Sequence, residues 1–339
     1  MTPYTRRDFT KFALAAIPAA GLLSSSSRLF AADAPAKPNS KVNGVQIGLN
    51  VPYSFGNNLL SADDTLAKCV TLGVSALELR SQPVELFLGV PPELLAPAMR
   101  NNPGAVPVEK SAVLSAAAKA EKLRAWRSSA PLARAQEFRT KYADAGVSVD
   151  VLKFDNIYKF SDAELDYAFL LAKALGARAI SCEISMTDQR EAELTRLGSF
   201  ADKHQLWVGY HGHTKVTPAI WEQAFKLAKF NGANVDIGHF IAGLHYSPVE
   251  FIKQYHDRIT HIHIKDRKMH GPKGSKSEDE GPNVTFGEGD TPIAEVLRLL
   301  RDNRWPIQAT IEFEYPVPAG SDRMKEIARS IKFCRDALA

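Results

Sequence analysis

Residues Asp162–His213 read DAELDYAFLLAKALGARAISCEISMTDQREAELTRLGSFADKHQLWVGYHGH, and this stretch decides the fold. Ser161 followed by Asp162 and Glu164 is a helix start, because a serine hydroxyl can accept a free backbone N–H of the first turn while acids favour that end. The reading is a helix over 162–175, a strand over 179–185, a helix over 192–203 and a strand over 207–213. Strands separated by crossover helices belong to a parallel sheet.

The same alternation extends in both directions. Strands are predicted over 45–51, 75–79, 148–154, 234–237, 260–265 and 309–314, which brings the count to eight. Helices are predicted over 63–72, 218–230, 248–256 and 293–302, with a closing helix over 323–338; Ser247 before Pro248 is a further helix start. Eight βα units in series are what a closed (β/α)8 TIM barrel of the α/β class requires. An open doubly wound sheet would bring a G-x-G-x-x-G loop after its first strand, and none is present. Two segments exceed ordinary connections. Residues 82–142 hold a proline-rich piece (91–107) and then an Ala/Lys/Arg-rich helical stretch, read as the second barrel helix plus an insertion placed to cover the barrel mouth. Residues 268–282 are charged and glycine-rich and read as a mobile insertion.

The N-terminus is read as a separate unit. Arg6-Arg7 ahead of a short alanine-rich apolar run (12–23) is the address of the twin-arginine export machinery, with small residues at 31–34 for cleavage. The domain reading is thus a signal over 1–34, a linker over 35–43 and a barrel over 44–339, with a periplasmic or otherwise exported destination. The apolar run is far below the ~20 residues of a permanent span, so no stable membrane insertion is expected. Removing 1–34 lowers the formal charge of +4 to +2, which argues against a nucleic-acid partner. Cys69, Cys182 and Cys334 lie apart in apolar surroundings with no C-x-x-C spacing, and read as buried free thiols.

In a barrel of this kind the C-terminal strand ends converge on one mouth. Those ends carry Lys153, Glu183, His211 and His213, Asp236 and then His239, His261 and His263, and Glu312 and Glu314. Members of each i/i+2 pair share a face. Several acids inside one barrel need a cation or protons among them, since an isolated buried carboxylate costs several kcal/mol. His261 reads as a supporting group, Lys265 and Asp266 as an ion pair that positions the following loop, and Tyr53 and Phe55 as aromatics placed to stack on a ring.

Asp236-Ile-Gly-His239, His263-Ile-Lys-Asp266, Phe286-Gly-Glu-Gly-Asp290, Ile311-Glu-Phe-Glu314 and Tyr210-His-Gly-His213 together resemble the xylose isomerase-like TIM barrel superfamily, which includes sugar phosphate isomerases and epimerases. The resemblance implies one divalent metal held by Glu183, Asp236, His263 and Glu312, manganese first, with magnesium, cobalt or zinc as alternatives. It leaves open whether Glu312 or Glu314 is the final ligand. It implies isomerisation or epimerisation of a small carbohydrate through an enediolate, with Glu183 and Glu312 as acid and base. His211, His213, His239, Lys153 and Glu314 would contact substrate, and Arg80 would contact a charged or keto group. Barrels of this superfamily pair, so a homodimer through the 82–142 insertion is a further expectation.

Three other readings stand beside this one. A lyase or hydratase acting on a keto sugar or keto-glycoside would begin with the same proton abstraction. An apurinic endonuclease-like hydrolase would recruit extra histidines for a multi-zinc site. A non-catalytic sugar-binding barrel would keep the groups without using them.

Overall fold

The structure, a computed structural model, describes residues 37–95, 115–275 and 278–339. The export signal expected over residues 1–34 lies outside the described residues. Nine strands follow in order: β1 (Lys41–Val42), β2 (Val45–Val51), β3 (Ala76–Arg80), β4 (Ser148–Lys153), β5 (Ala179–Glu183), β6 (Trp207–His211), β7 (Asn231–Asp236), β8 (Ile259–Ile264) and β9 (Gln308–Ile311). β1 forms an antiparallel lip on β2. β2 to β9 are parallel neighbours in chain order, and Ile47 pairing with Ala309 closes β9 onto β2. The result is an eight-stranded (β/α)8 barrel. One face of these strands is apolar and buried: Val45, Ile47, Leu49 and Val51 on β2, and Ile262 and Ile264 on β8, while the alternate positions Asn50, His261 and His263 are buried polar groups on the other face.

The helices start where the sequence places good caps. Ser161 Oγ accepts the Glu164 N–H while Glu164 returns a bond to the Ser161 backbone, and Gly176 ends that helix (Asp162–Leu175) in the left-handed region at φ 78°. Helix Val249–Tyr255 begins one residue after the expected Pro248, with Ser247 Oγ 3.3 Å from the Val249 nitrogen.

Two differences bear on the site. The ladders of β5, β6 and β9 stop two or three residues before the predicted strand ends, so Ser185, His213, Glu312 and Glu314 lie in the segments that follow the strands. β7 begins at Asn231 and ends at Asp236, where a helix not read from the sequence, Ile237–Leu244, starts at once. Its residues IGHFIAGL are apolar nearly all round, so no amphipathic stripe announces it.

Within the 82–142 segment, helix Ser81–Leu88 follows β3 directly and helix Ala135–Asp144 precedes β4. Helix Ala116–Ser128 is strapped to the barrel by Arg127, whose guanidinium meets Glu85 at 2.8 Å and Glu164 at 3.3 Å. The two ends of the 268–282 segment are tied to each other and to the loop that follows. Arg267 donates to the Gly281 carbonyl, and Lys268 and Met269 donate backbone N–H groups to the Pro282 carbonyl and Asp290. All three cysteines are buried and free. Among the described residues no helix is long and apolar enough to cross a membrane.

Candidate metal and catalytic site

The barrel mouth opens into a cavity of about 310 Å³ lined by Tyr53, Arg80, Glu183, His211, Glu312 and Glu314, among others. That volume is at the small end for ligand sites. Strand register assembles its floor: Glu183 on β5 is paired with His211 on β6, and Asp236 on β7 with His263 on β8. The ladders are irregular at Leu77/Glu78 and Ala233/Asn234, beside two of the floor strands. Bulges at such places re-aim side chains.

Four donors converge there. Single ligand atoms of His211, Asp236, His263 and Glu312 all lie within 4.8 Å of one another, and all four residues are buried. Asp236 divides its carboxylate between two tasks. Oδ1 caps the helix from Ile237 by accepting the His239 N–H at 2.7 Å, while Oδ2 faces the cluster. Burial pushes the Asp236 carboxyl up, but Lys265 and His239 overcome it and hold the group well below the usual carboxylate range. Glu312 behaves in the same way, with Lys265 and His263 outweighing burial.

These residues fit a divalent cation on a specific observation. His263 Nε2 lies 2.5 Å from Glu78 Oε2, so that nitrogen donates its proton outward. Nδ1 is buried without a hydrogen-bond partner, 3.2 Å from Glu312 Oε2 and 3.7 Å from Asp236 Oδ2; burial lowers the imidazole pKa, but Glu78 and Glu312 outweigh it and hold it well above the ordinary value. Lys265 Nζ lies against the same oxygens, 3.0 Å from Asp236 Oδ2 and 2.6 Å from Glu312 Oε2, and a divalent ion among the four donors would offset their buried negative charge in the same way. A histidine whose far nitrogen donates to a carboxylate is the usual support of a metal ligand.

Glu183 lies at the edge of this group. Its Oε1 accepts from Lys153 Nζ at 2.7 Å; its Oε2 meets His211 Nδ1 at 2.7 Å and His213 Nε2 at 2.8 Å. The carboxylate remains 43% exposed and open to the cavity, whereas Lys153 is fully buried beneath it. Burial would raise the Glu183 pKa, yet His211 and Lys153 hold it well below its ordinary value. The hydrogen bond to Glu183 raises His213, which stands exposed at the rim.

The remaining expected contacts are placed as follows. Glu314 lies farther out than Glu312, accepting from Tyr53 OH and Lys265 Nζ, each at 2.5 Å. Tyr53 is thereby tied down as a cavity wall, and Arg80 lies over its ring while holding Asp155 at 2.8 Å. His239 does not line the cavity: Arg267 donates to its Nδ1 at 2.6 Å, and burial holds its pKa well below the ordinary histidine value. Lys153 likewise reaches Glu183 rather than the cavity. Of the long insertion only Gln82 touches this cavity, among the described residues.

One reading is corrected outright. Lys265 and Asp266 do not pair. Successive strand residues point to opposite faces, so Lys265 turns inward to Asp236 (3.0 Å) and Glu312 (2.6 Å). Asp266 turns outward and accepts the N–H groups of Gly287 and Gly289. Lys265 and Glu78 are the functional groups that sequence reasoning missed. Glu78 had a usable signal, since Glu78/Arg80 is an i/i+2 polar pair at a strand end like the others.

A family profile described as a xylose isomerase-like TIM barrel matches residues 133–337, more than half of the chain. The chain belongs to the xylose isomerase-like TIM barrel family. An inosose dehydratase from Clostridium botulinum (strain Eklund 17B / Type B) is 28% identical over 137 residues, covering 36% of this chain and 45% of that protein. The chain thus matches under half the length of that curated relative. A xylose isomerase domain protein from Planctomyces limnophilus superposes with a TM-score of 0.56 at 16% identity, covering 86% of this chain and 96% of that one. A D-psicose 3-epimerase crystallised in the presence of D-fructose gives a TM-score of 0.53 at 12% identity, covering 87% and 97%. At such identities the two structures speak for the fold alone.

Among the described residues two further donor groups flank the four: Glu78/His261/His263 and Glu183/His211/His213. Each shares a histidine with the central group. Filling all three would require His211 and His263 to ligate through both ring nitrogens, which weighs against a three-metal hydrolase.

Proposed function

We propose that this protein is a sugar isomerase or epimerase that removes and returns a proton at a carbon next to the carbonyl of a small carbohydrate. The observation that carries the reading is that Glu183 and Glu312 line one small cavity, each held ionised by buried cations. Both carboxylates are unprotonated and face the same cavity, so one is placed to take a proton and the other to return it; because their low pKa values make them weak bases, the carbon would have to be acidified by a bound cation.

Asp236, His263 and Glu312 are the groups that would hold a divalent ion, whose contribution when bound is to polarise the substrate carbonyl. Lys153 fixes the orientation of Glu183 from below, and His213 holds its outer oxygen. Tyr53 and Arg80 form an apolar and cationic wall against which a sugar ring and its oxygens can pack. The outward orientation of Glu314 supports Glu312 rather than Glu314 as the inner group.

A dehydratase is the second reading, and two observations favour it. The curated relative is named an inosose dehydratase. His213, raised by its bond to Glu183 and exposed at the rim, is placed to protonate a departing hydroxyl on the β-carbon. Export through the twin-arginine route, manganese as the ion and pairing of two chains remain part of the proposal.

The test is incubation of the manganese-loaded protein with free ketoses, inososes and keto-glycosides in deuterated water. Deuterium gained at the carbon beside the carbonyl, with the carbon skeleton and all hydroxyls retained, supports epimerisation. Loss of water or of an aglycone supports the dehydratase or lyase. Neither exchange nor loss on any of these, by protein shown to hold metal, would sink both readings.

A further inference from the structure

We propose that the substrate is a glycoside whose sugar ring occupies the catalytic cavity while its apolar aglycone lies in a second cavity, walled by the helix Ala116–Ser128. The inference rests on the proton-transfer reading above for the sugar ring and adds to it what that ring is attached to.

The second cavity has a volume of about 560 Å³, against about 310 Å³ for the catalytic one, and Gln82, Asp155 and Asn156 line both. The inner volume sits at the lower end of the ~300–1,000 Å³ of small-molecule sites, so a substrate larger than one ring extends through this junction. Asp155 is fixed there by Arg80 at 2.8 Å. Gln82 is buried; its Nε2 lies 3.4 Å from Asp155 Oδ2, whereas its Oε1 has no hydrogen-bond partner. A buried acceptor left without a donor is costly, and a hydroxyl of the sugar ring would satisfy it.

The lining beyond the junction selects the second part of the ligand. Ala116, Ala120, Leu123 and Arg127 follow one another at spacings of three and four, so a single face of the helix forms the wall. That face is small at its two alanines, which leaves room, and Leu94, Leu95 and Phe160 complete the apolar lining. The charges nearby are largely spoken for. Arg127 meets Glu85 at 2.8 Å and Glu164 at 3.3 Å, half-exposed Arg124 meets Glu164 at 3.3 Å, and Lys159 is exposed. The hydroxyls of a second sugar ring would face leucines and alanines without partners, which is unfavourable. An apolar group gains by leaving water in proportion to the area covered.

The experiment uses the full-length protein and titration calorimetry with three probes that lack the carbonyl needed for reaction: phenyl β-D-glucopyranoside, methyl β-D-glucopyranoside and cellobiose. The phenyl glucoside is expected to bind at least about fivefold tighter than either of the others, through the added apolar burial. A smaller margin, cellobiose binding tightest, or no binding of any probe overturns the inference without any variant having to fold. Ala120 is exposed and glutamate is a good helix former, so Ala120→Glu keeps the helix and puts a charge into the cavity. It should lose most of the phenyl margin; an unchanged margin places the phenyl group elsewhere and overturns the inference. It also falls if the margin emerges only after residues 96–114 are replaced by a glycine–serine linker of equal length, because the chain itself is then the occupant. Binding of these probes needs no turnover. Deuterium exchange on a ketose without the phenyl margin keeps the reaction and discards the second cavity, whereas the margin without exchange does the reverse.

Discussion

Glu78 Oε2 and His263 Nε2 meet inside the barrel at 2.5 Å, with neither side chain exposed to solvent. This contact fixes the orientation of the His263 ring, whose other nitrogen, Nδ1, faces Glu312 and Asp236. Burial pushes the Glu78 carboxyl up, but His263 and His261 hold it well below the ordinary range, so it acts as an anionic acceptor. Replacing it with glutamine keeps the shape and removes the charge. Glu78→Gln is therefore expected to weaken Mn(II) binding by about 10–100-fold, the usual effect of losing a group that orients a metal ligand. Titration calorimetry on the folded variant checks this, and an affinity within twofold of wild type would refute the orienting role.

Glu164 gives a pH prediction away from the site. It closes the capping box of the 162–175 helix and meets Arg124 and Arg127 at 3.3 Å each. Burial raises its pKa, but the Ser161 bonds and Arg127 win and set it below the ordinary value. A carboxyl whose folded pKa lies below its unfolded value of about 4.3 stabilises fully above that pH. The stabilisation is lost as pH falls through the folded pKa. Glu164→Gln should cost about 1.5–3 kcal/mol at pH 7, the scale of a hydrogen bond to a charged group. Urea midpoints at pH 7 and pH 3 should show the gap to wild type narrowing in acid; an equal gap at both would contradict the assignment.

The cysteines offer a test of core packing. Burial raises all three thiols, Cys182 to about 12 and Cys69 and Cys334 further. The thiolate is the reactive form. At pH 8 the native protein should show no fast-reacting thiol toward a disulfide reagent, and three after denaturation in guanidinium. A native thiol reacting at the denatured rate would place that residue at the surface.

What the sequence made legible follows from what a strand end reveals. Glu183, Asp236, His263 and Glu312 interrupt runs of buried aliphatics, so their cost is visible without coordinates, and the barrel follows from alternation alone. Less visible is anything decided by which side of a residue is used. Lys265 and Asp266 look like a pair in the chain, yet the pleat sends them to opposite faces. The helix at Ile237–Leu244 is hidden because its outer face is covered, and Asp236 both caps it and serves the site. The roles of Glu78 and Lys265 hang on contacts made across the barrel, and spacing carries no information about those.

The outward face of that pleat supplies a last prediction. Asp266 Oδ2 accepts the N–H groups of Gly287 at 2.8 Å and Gly289 at 3.0 Å, and Oδ1 that of Thr291 at 3.3 Å. Gly289 must lack a side chain, because a Cβ there would overlap Asp266 Oδ1 and press on the Arg267 carbonyl at 2.8 Å. Arg267 in turn holds His239 Nδ1 at 2.6 Å, so displacement at the loop reaches the wall behind Asp236. Gly289→Ala should cost about 1–3 kcal/mol, the range for forcing an atom into packed space. Asp266→Asn should cost a similar amount, because one N–H acceptor becomes a donor facing other donors. Since both changes break the same contact, the double variant should fall short of the sum by more than about 0.5 kcal/mol. Chemical denaturation of the four proteins measures that coupling. Strict additivity would mean that Asp266 does not organise the glycine loop, and that the rigidity behind His239 has another source.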